Sequence, residues 1–214
     1  MTDICIIFDL DGTLVDSEGL CNQAFLDLLP QLDDTLPSLV DRYRGRKLAP
    51  ILADLEQRLE LKLPNGFERD YRQRVAELFA KDLKPVPGVV EMLVSTRLPK
   101  CVASSGPVSK IQQALQVSGL ESYFGDCIFS AYEVGSWKPE PGLFHFAADA
   151  MGFPPKQCAV VEDSDVGIAA AVAAGMRPFQ YLASDIPPYR AEDRVVFGNM
   201  VQLSPLLAEF ANMA

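Results

Sequence analysis

Histidine and tryptophan each occur once in this chain of 214 residues. Basic charge is also scarce, with 19 Lys and Arg against 29 Asp and Glu and a formal net charge of −10. A nucleic-acid surface needs basic residues gathered on one face, so no nucleic-acid partner is expected and any anionic ligand must be held locally. Long apolar runs are missing too. Asp3 interrupts the amino terminus, and Ile4 to Phe8 is far too short for a secretory h-region or a bilayer span, so no membrane partner is expected. The five cysteines, Cys5, Cys21, Cys101, Cys127 and Cys158, have no paired metal-site spacing and are odd in number. They read as small buried hydrophobes of a reducing compartment, and a cytoplasmic location is expected. No fixed-period repeat or low-complexity tract organises the chain.

What is present is an apolar share of 49%, enough for one good core and a smaller second lobe. Short β-like runs recur at Ile4–Phe8, Lys100–Ala103, Cys127–Phe129, Ala159–Val161, Phe179–Leu182 and Arg194–Phe197. Helical stripes separate most of them, with Leu143, Phe146, Ala147, Ala150 and Met151 forming one and Leu203, Leu206, Leu207, Phe210 and Ala211 another. Alternation of this kind implies an α/β fold, a Rossmann-like parallel sheet with helices on both faces.

Between residues 17 and 85 the alternation stops. Cys21, Ala24, Phe25 and Leu28, then Leu48, Ile51, Leu52, Leu55 and Leu59, then Phe67, Tyr71, Val75, Leu78 and Phe79 make successive helical stripes with no convincing strand among them. The expected organisation is a catalytic core of residues 1–16 and 86–214 with an inserted all-helical lobe at 17–85. Pro85, Pro87 and Gly88 mark its far edge, and Asp16 and Ser17 offer N-cap oxygens at the near one.

The main chemical signal follows the first strand, where Asp9 and Asp11 lie two residues apart and so on one side of an extended chain. Gly12 beside them permits a sharp turn, and in open α/β sheets ligands bind beyond the carboxyl ends of strands. An isolated Asp-x-Asp is by default a solvated acidic turn, and a calcium loop is excluded by the missing downstream ligands.

Asp9-Leu10-Asp11-Gly12-Thr13 resembles motif one of the haloacid dehalogenase-like superfamily. Ser104, Lys138 in Trp137-Lys138-Pro139, and Glu162-Asp163 resemble its motifs two, three and four, in order. The resemblance implies a phosphatase that uses Asp9 as nucleophile and Asp11 as general acid and base. Members that attack carbon lack an aspartate at the latter place. It implies Mg2+ held by Asp9, the backbone carbonyl of Asp11, Asp163 and Glu162, and a helical cap in the inserted segment. Phosphate oxygens would be held by Thr13, Ser104, Ser105, Gly106 and Lys138. A strand-to-helix junction such as Ser104-Ser105-Gly106-Pro107 supplies unpaired N–H groups for that purpose, although taken alone it is equally an ordinary helix N-cap.

β-Phosphoglucomutases resemble the chain in motifs and cap but carry a histidine in the first cap helix, where Cys21 stands here. Hydrolysis is therefore expected over sugar transfer, and the retained acids and lysine argue against a non-catalytic member. The wording around Tyr43–Leu48, Ser104–Pro107 and Trp137–Pro141 resembles that of bacterial 6-phosphogluconate phosphatases, which implies a sugar or sugar-acid phosphate. In the basic run Arg42, Arg44, Arg46 and Lys47, the first two read as solvated surface charges. Gly45, Arg46 and Lys47 are the specificity candidates. His145 reads as a helix-surface residue and Trp137 as packing. The expected partner is a small phosphate monoester, with the chain a monomer or weak dimer.

Overall fold

The computed structural model describes residues 4–185 and 187–213. Strand β1 (Cys5–Phe8) is fully buried, and four helices follow it with no strand between them: α1 (Glu18–Leu28), α2 (Leu36–Tyr43), α3 (Leu48–Arg58) and α4 (Phe67–Asp82). The chain then returns through α5 (Val89–Ser95), β2 (Lys100–Ser104), α6 (Val108–Val117), β3 (Ile128–Ser130), α7 (Ala131–Val134) and α8 (Gly142–Met151). β4 (Cys158–Glu162), α9 (Asp165–Ala173), β5 (Arg177–Tyr181), β6 (Tyr189–Arg190), β7 (Val195–Phe197) and α10 (Leu203–Met213) complete it.

The strands form one sheet in the order β3-β2-β1-β4-β5-β7-β6. Every neighbouring pair is parallel except β6–β7. That antiparallel edge strand departs from the expected all-parallel sheet. Its two residues are exposed and carry no apolar run, so periodicity gives no sign of it. β1 lies between β2 and β4, the place where the strand order reverses and a crevice opens beyond the strand ends.

Alternation along β1 assigns its side chains to two cores. Ile4, Ile6 and Phe8 join the larger cluster, which continues through Val89, Ile111 and Leu207 into the helical insert. Cys5 and Ile7 join a smaller one with Cys101, Cys158, Phe144 and Ala171. All five cysteines are free thiols, and Cys5, Cys101 and Cys158 are buried. The expected stripe on α8 is displaced by about one residue. Phe144 is buried, whereas Phe146 is 49% exposed and lays its ring edge-on against Phe129 at 5.7 Å. A helix this apolar has no clear polar face from which to read its phase.

The insert is joined to the sheet by two crossing segments. Asp16 N–H donates to Lys84 O at 3.0 Å and Val86 N–H to Leu14 O at 3.0 Å, so departing and returning chains pair as a short antiparallel ladder. Phe25 of α1 stacks on Tyr71 of α4 at 4.3 Å and meets Tyr43 of α2 edge-on at 6.1 Å, giving the helices an aromatic centre. No helix among the described residues is long and apolar enough to cross a membrane.

Candidate active site

Asp9 directly follows β1, Ser104 ends β2, and Glu162 ends β4 with Asp163 next to it, so three adjacent parallel strands deliver these groups to one end of the sheet. The turn after Asp9 closes through Gly12 N–H to Val15 O at 2.9 Å and Leu14 N–H to Leu10 O at 2.9 Å. Gly12 has φ +78°, and a Cβ there would lie 2.6 Å from Asp163 Oδ2, so only glycine lets this turn approach the acidic pair. Gly167 has the same function for Glu162, whose Oε1 would lie 1.8 Å from an added Cβ.

Lys138, from the loop before α8, is buried and donates to Asp9 Oδ1 and, at 2.7 Å, to Glu162 Oε1. Glu162 Oε2 accepts from both Ser164 N–H at 2.7 Å and Ser164 Oγ at 2.9 Å. Ser164 Oγ in turn accepts from Gly167 N–H at 3.1 Å, capping α9. Oxygens of Asp9, Glu162 and Asp163 lie within 4.8 Å of one another, all buried. Burial pushes Asp9 up to about 7. Lys138 opposes this, while Glu162 and Asp11 add to it. Burial, then Glu162 and Asp9, push Asp163 well above the carboxylate range. Lys138 is raised because the attraction of Asp9 and Glu162 outweighs its desolvation. Three crowded carboxylates sharing one buried ammonium favour an additional cation, and an all-oxygen donor set suits a hard divalent one.

Asp11 is held differently. Lys110 Nζ donates to both of its carboxylate oxygens at 2.8 Å, and Ser17 Oγ donates to Oδ1 at 2.5 Å. Burial raises this carboxyl, but Lys110 and Ser17 outweigh that and hold it below the usual range. Ser17 therefore does not cap α1 with its side chain. Lys110 had no signal in the sequence, because its partner lies 99 residues away and a lone helix lysine is ordinarily solvated. α6 itself begins at Val108 with Pro107 as its N-cap.

Core and insert enclose a cavity of about 400 Å³ lined by Asp9, Asp11, Glu18, Cys21, Arg46 and Lys138, among others. Ser105, Gly106, Gly45 and Lys47 also line it, whereas Ser104 and Thr13 stand behind the wall. Ser104 Oγ accepts from Gly106 N–H at 3.0 Å, and Thr13 Oγ1 donates to Asp163 Oδ1 at 3.2 Å.

Three cationic contacts bring the insert over the core. Arg44 reaches Asp163 Oδ2 at 3.4 Å, Lys47 lies over the Trp137 ring at 5.1 Å, and Arg72 donates to Tyr132 Oη at 2.9 Å. Arg44 is exposed, as expected, its side chain 45% accessible, but the acid it pairs with is the buried Asp163 of the core. The turn at Arg44-Gly45 lies against the start of α9, so the guanidinium faces an acid 119 residues away. Gly45 itself has φ +68°, and an added Cβ would lie 2.8 Å from Ser164 Cβ. Gly45→Ala is expected to cost the closed arrangement about 1–2 kcal/mol and lower kcat/KM roughly tenfold. Tm should fall by about 2–4 °C, because the left-handed backbone strains alanine in the folded chain whether or not the lobes are closed. Paired kinetics and thermal melts check this.

A parallel sheet with its acids and lysine gathered at the central crevice defines an α/β enzyme of the kind that handles small anions at strand ends. The family model for a haloacid dehalogenase-like hydrolase matches residues 5–175. Among curated proteins, a 6-phosphogluconate phosphatase from Escherichia coli K12 is 36% identical over 182 residues, covering 83% of this chain and 82% of its own. A fructose-1-phosphate phosphatase from the same organism is 34% identical, covering 80% and 92%. A solved hydrolase of the family from Deinococcus radiodurans, with phosphate and sodium bound, superposes with a TM-score of 0.77 at 29% identity, covering 97% and 96%. The chain belongs to the haloacid dehalogenase-like hydrolase family, and it is a phosphatase.

Proposed function

We propose that the chain is a magnesium-dependent phosphatase hydrolysing a small sugar or sugar-acid phosphate, such as 6-phosphogluconate, through a phospho-aspartate on Asp9. The observation that carries this reading is the buried Asp9–Lys138–Glu162 chain at the bottom of a cavity that Arg46 also lines. The relatives named as phosphatases of 6-phosphogluconate and fructose 1-phosphate support the substrate class.

Asp9 attacks phosphorus, forming an acyl phosphate as the bond to the leaving alkoxide breaks, and Asp11 gives that alkoxide a proton. Asp11 then takes a proton from the water that cleaves the acyl phosphate, releasing phosphate and restoring Asp9. The Lys110–Asp11 pair has to open for the first of these proton transfers, since Lys110 favours the ionised carboxylate. Lys138 orients Asp9 and offsets charge on the transferring group, while Glu162 and Ser164 fix Lys138 in place. Asp9, Asp163 and the Asp11 carbonyl, with Glu162 adjacent, are the groups that fit Mg2+; when bound it supplies neutralisation between two anions that would otherwise repel. Ser105 and Gly106, in the turn that leads into α6, are placed to meet phosphate oxygens, and Ser104 and Thr13 support that wall from behind. Residues 17–85 act as the cap over the core of 1–16 and 86–214.

Cys21 speaks for hydrolysis over a mutase reaction. Burial pushes its thiol up to about 12, so it stays neutral and supplies no histidine-like base. Arg46 is the cation proposed to read the distal carboxylate of a sugar acid. Lys47, occupied with Trp137, contributes by holding the cap closed.

The test compares two substrates. Arg46→Ala is expected to lower kcat/KM for 6-phosphogluconate roughly ten- to a hundredfold, the loss of one charge-assisted contact of about 1.5–3 kcal/mol, and to leave a neutral aryl phosphate nearly unchanged. Equal losses on both would assign Arg46 to cap closure instead.

A further inference from the structure

A second cavity, of about 330 Å³, lies at the opposite end of the sheet from Asp9. Arg177 opens β5 and Val195 opens β7, whereas the catalytic groups follow the closing ends of β1, β2 and β4. Its apolar lining comes from Phe179 and Val195 of the sheet and from Leu206 and Phe210 of α10, with Phe179 and Phe210 meeting edge-on at 6.0 Å. Three cations complete it: Lys156, from the turn Pro155–Gln157 before β4, Arg177 and Arg190.

These cations are not used up by the fold. Arg190 pairs with the exposed Glu209 at 2.7 Å, but among the described residues neither Lys156 nor Arg177 forms an ion pair. The nearby Asp193 holds Arg194 through both oxygens at 2.9 Å, and its charge acts on Arg177 only from beyond ion-pair distance. In a chain of net charge −10, two unpaired cations beside the half-buried Phe210 ring form a local electropositive spot. Isolated surface cations carry no such meaning, but here the same cavity supplies the half-buried Phe210 ring and Leu206 for a flat apolar body and Lys156 and Arg177 for a charged head, while Phe179, 1% exposed, backs Phe210 from the core. The volume is at the lower end of ligand pockets, about 300–1,000 Å³, and so admits one small molecule rather than a nucleoside polyphosphate.

We propose that this pocket binds a small amphipathic anion, a flat apolar body bearing one sulfonate, carboxylate or phosphate group. The site is separate from the catalytic cavity and independent of the substrate assigned to that cavity.

Calorimetric titration of the full chain with 1-naphthalenesulfonate tests it. One saturable site is expected, weakened roughly tenfold by Lys156→Glu and by Arg177→Gln, each removing about 1.4 kcal/mol, and unchanged by Arg46→Ala. Sodium sulfate, which has the head without the body, is expected to bind at least about tenfold more weakly. Lys156 is exposed, so its variant keeps the test valid if the Arg177 change disturbs folding. The proposal is overturned if no saturation occurs up to about 10 mM, if sulfate binds as well as the naphthalene probe, or if Arg46→Ala weakens binding while Lys156→Glu does not. The last result would place the probe in the catalytic cavity.

Discussion

Asp9→Asn is expected to abolish turnover, lowering kcat on the order of 10⁴-fold or more, while the protein folds at least as well as before. An amide of the same shape keeps a hydrogen-bonding oxygen near Lys138 but cannot form the acyl phosphate. Stability should respond in the opposite direction from activity. Without a cation, Asp9 in the folded protein is pushed up to about 7 from 3.8, chiefly by burial. The native state therefore binds more protons than the unfolded chain between these values, and Asp9's contribution to stability, fully present below 3.8, is lost as pH rises through about 7. At pH 8 in chelator, Asp9→Asn should accordingly melt a few degrees higher than wild type, because one of three crowded acids has lost its charge and Lys138 still has Glu162. Activity assays, rapid-quench capture of the phosphoenzyme and melts across pH check all three points. Full activity in Asp9→Asn would remove it from the chemistry, and a collapse in Tm would make it a structural partner of Lys138.

Removal of divalent cation should be nearly as severe. Excess chelator is expected to lower kcat/KM by on the order of 10³-fold or more, with recovery on adding Mg2+. Asp163→Asn should raise the Mg2+ concentration for half-maximal activity at least about tenfold to a hundredfold. The reason is electrostatic. Burial, Glu162 and Asp9 raise Asp163 well above the ordinary range, and among the described residues the acid is answered only by Arg44, at 3.4 Å, and the Thr13 hydroxyl. A bound cation favours the ionised form of each acid, so Mg2+ should also raise the Tm of wild type in proportion to ligand concentration over Kd, and raise that of Asp163→Asn much less. Undiminished activity in chelator, or an identical Mg2+ dependence in Asp163→Asn, would falsify the metal assignment.

The expected strands and the helical stripes were legible because burial imposes a period on local sequence. A strand covered on both faces must be apolar throughout, as Ile4–Phe8 is, and an amphipathic cap helix must repeat as Phe67, Tyr71, Val75 and Leu78 do. Where the environment is uniform, as on the apolar helix α8, or where the strand is two exposed residues, as in β6, no period exists to read. The same division holds at the site. Asp9, Asp11, Glu162 and Asp163 were visible as acids at strand ends, because charge next to an apolar run is costly without a partner.

Their partners were not visible. Lys110 on Asp11, Arg44 on Asp163, Lys47 on Trp137 and Arg72 on Tyr132 each join positions 60 or more residues apart, and nothing in the local pattern of a solvated lysine or arginine marks its distant mate. Sequence by itself determined which acids stand at the strand ends and in what order the elements follow one another. Only the tertiary structure decided which cations stand over which acids, because that depends on how α6 and the helical insert settle on the ends of the central strands. Tight contacts such as Gly12 on Asp163 and Gly45 on Ser164 leave that arrangement little room.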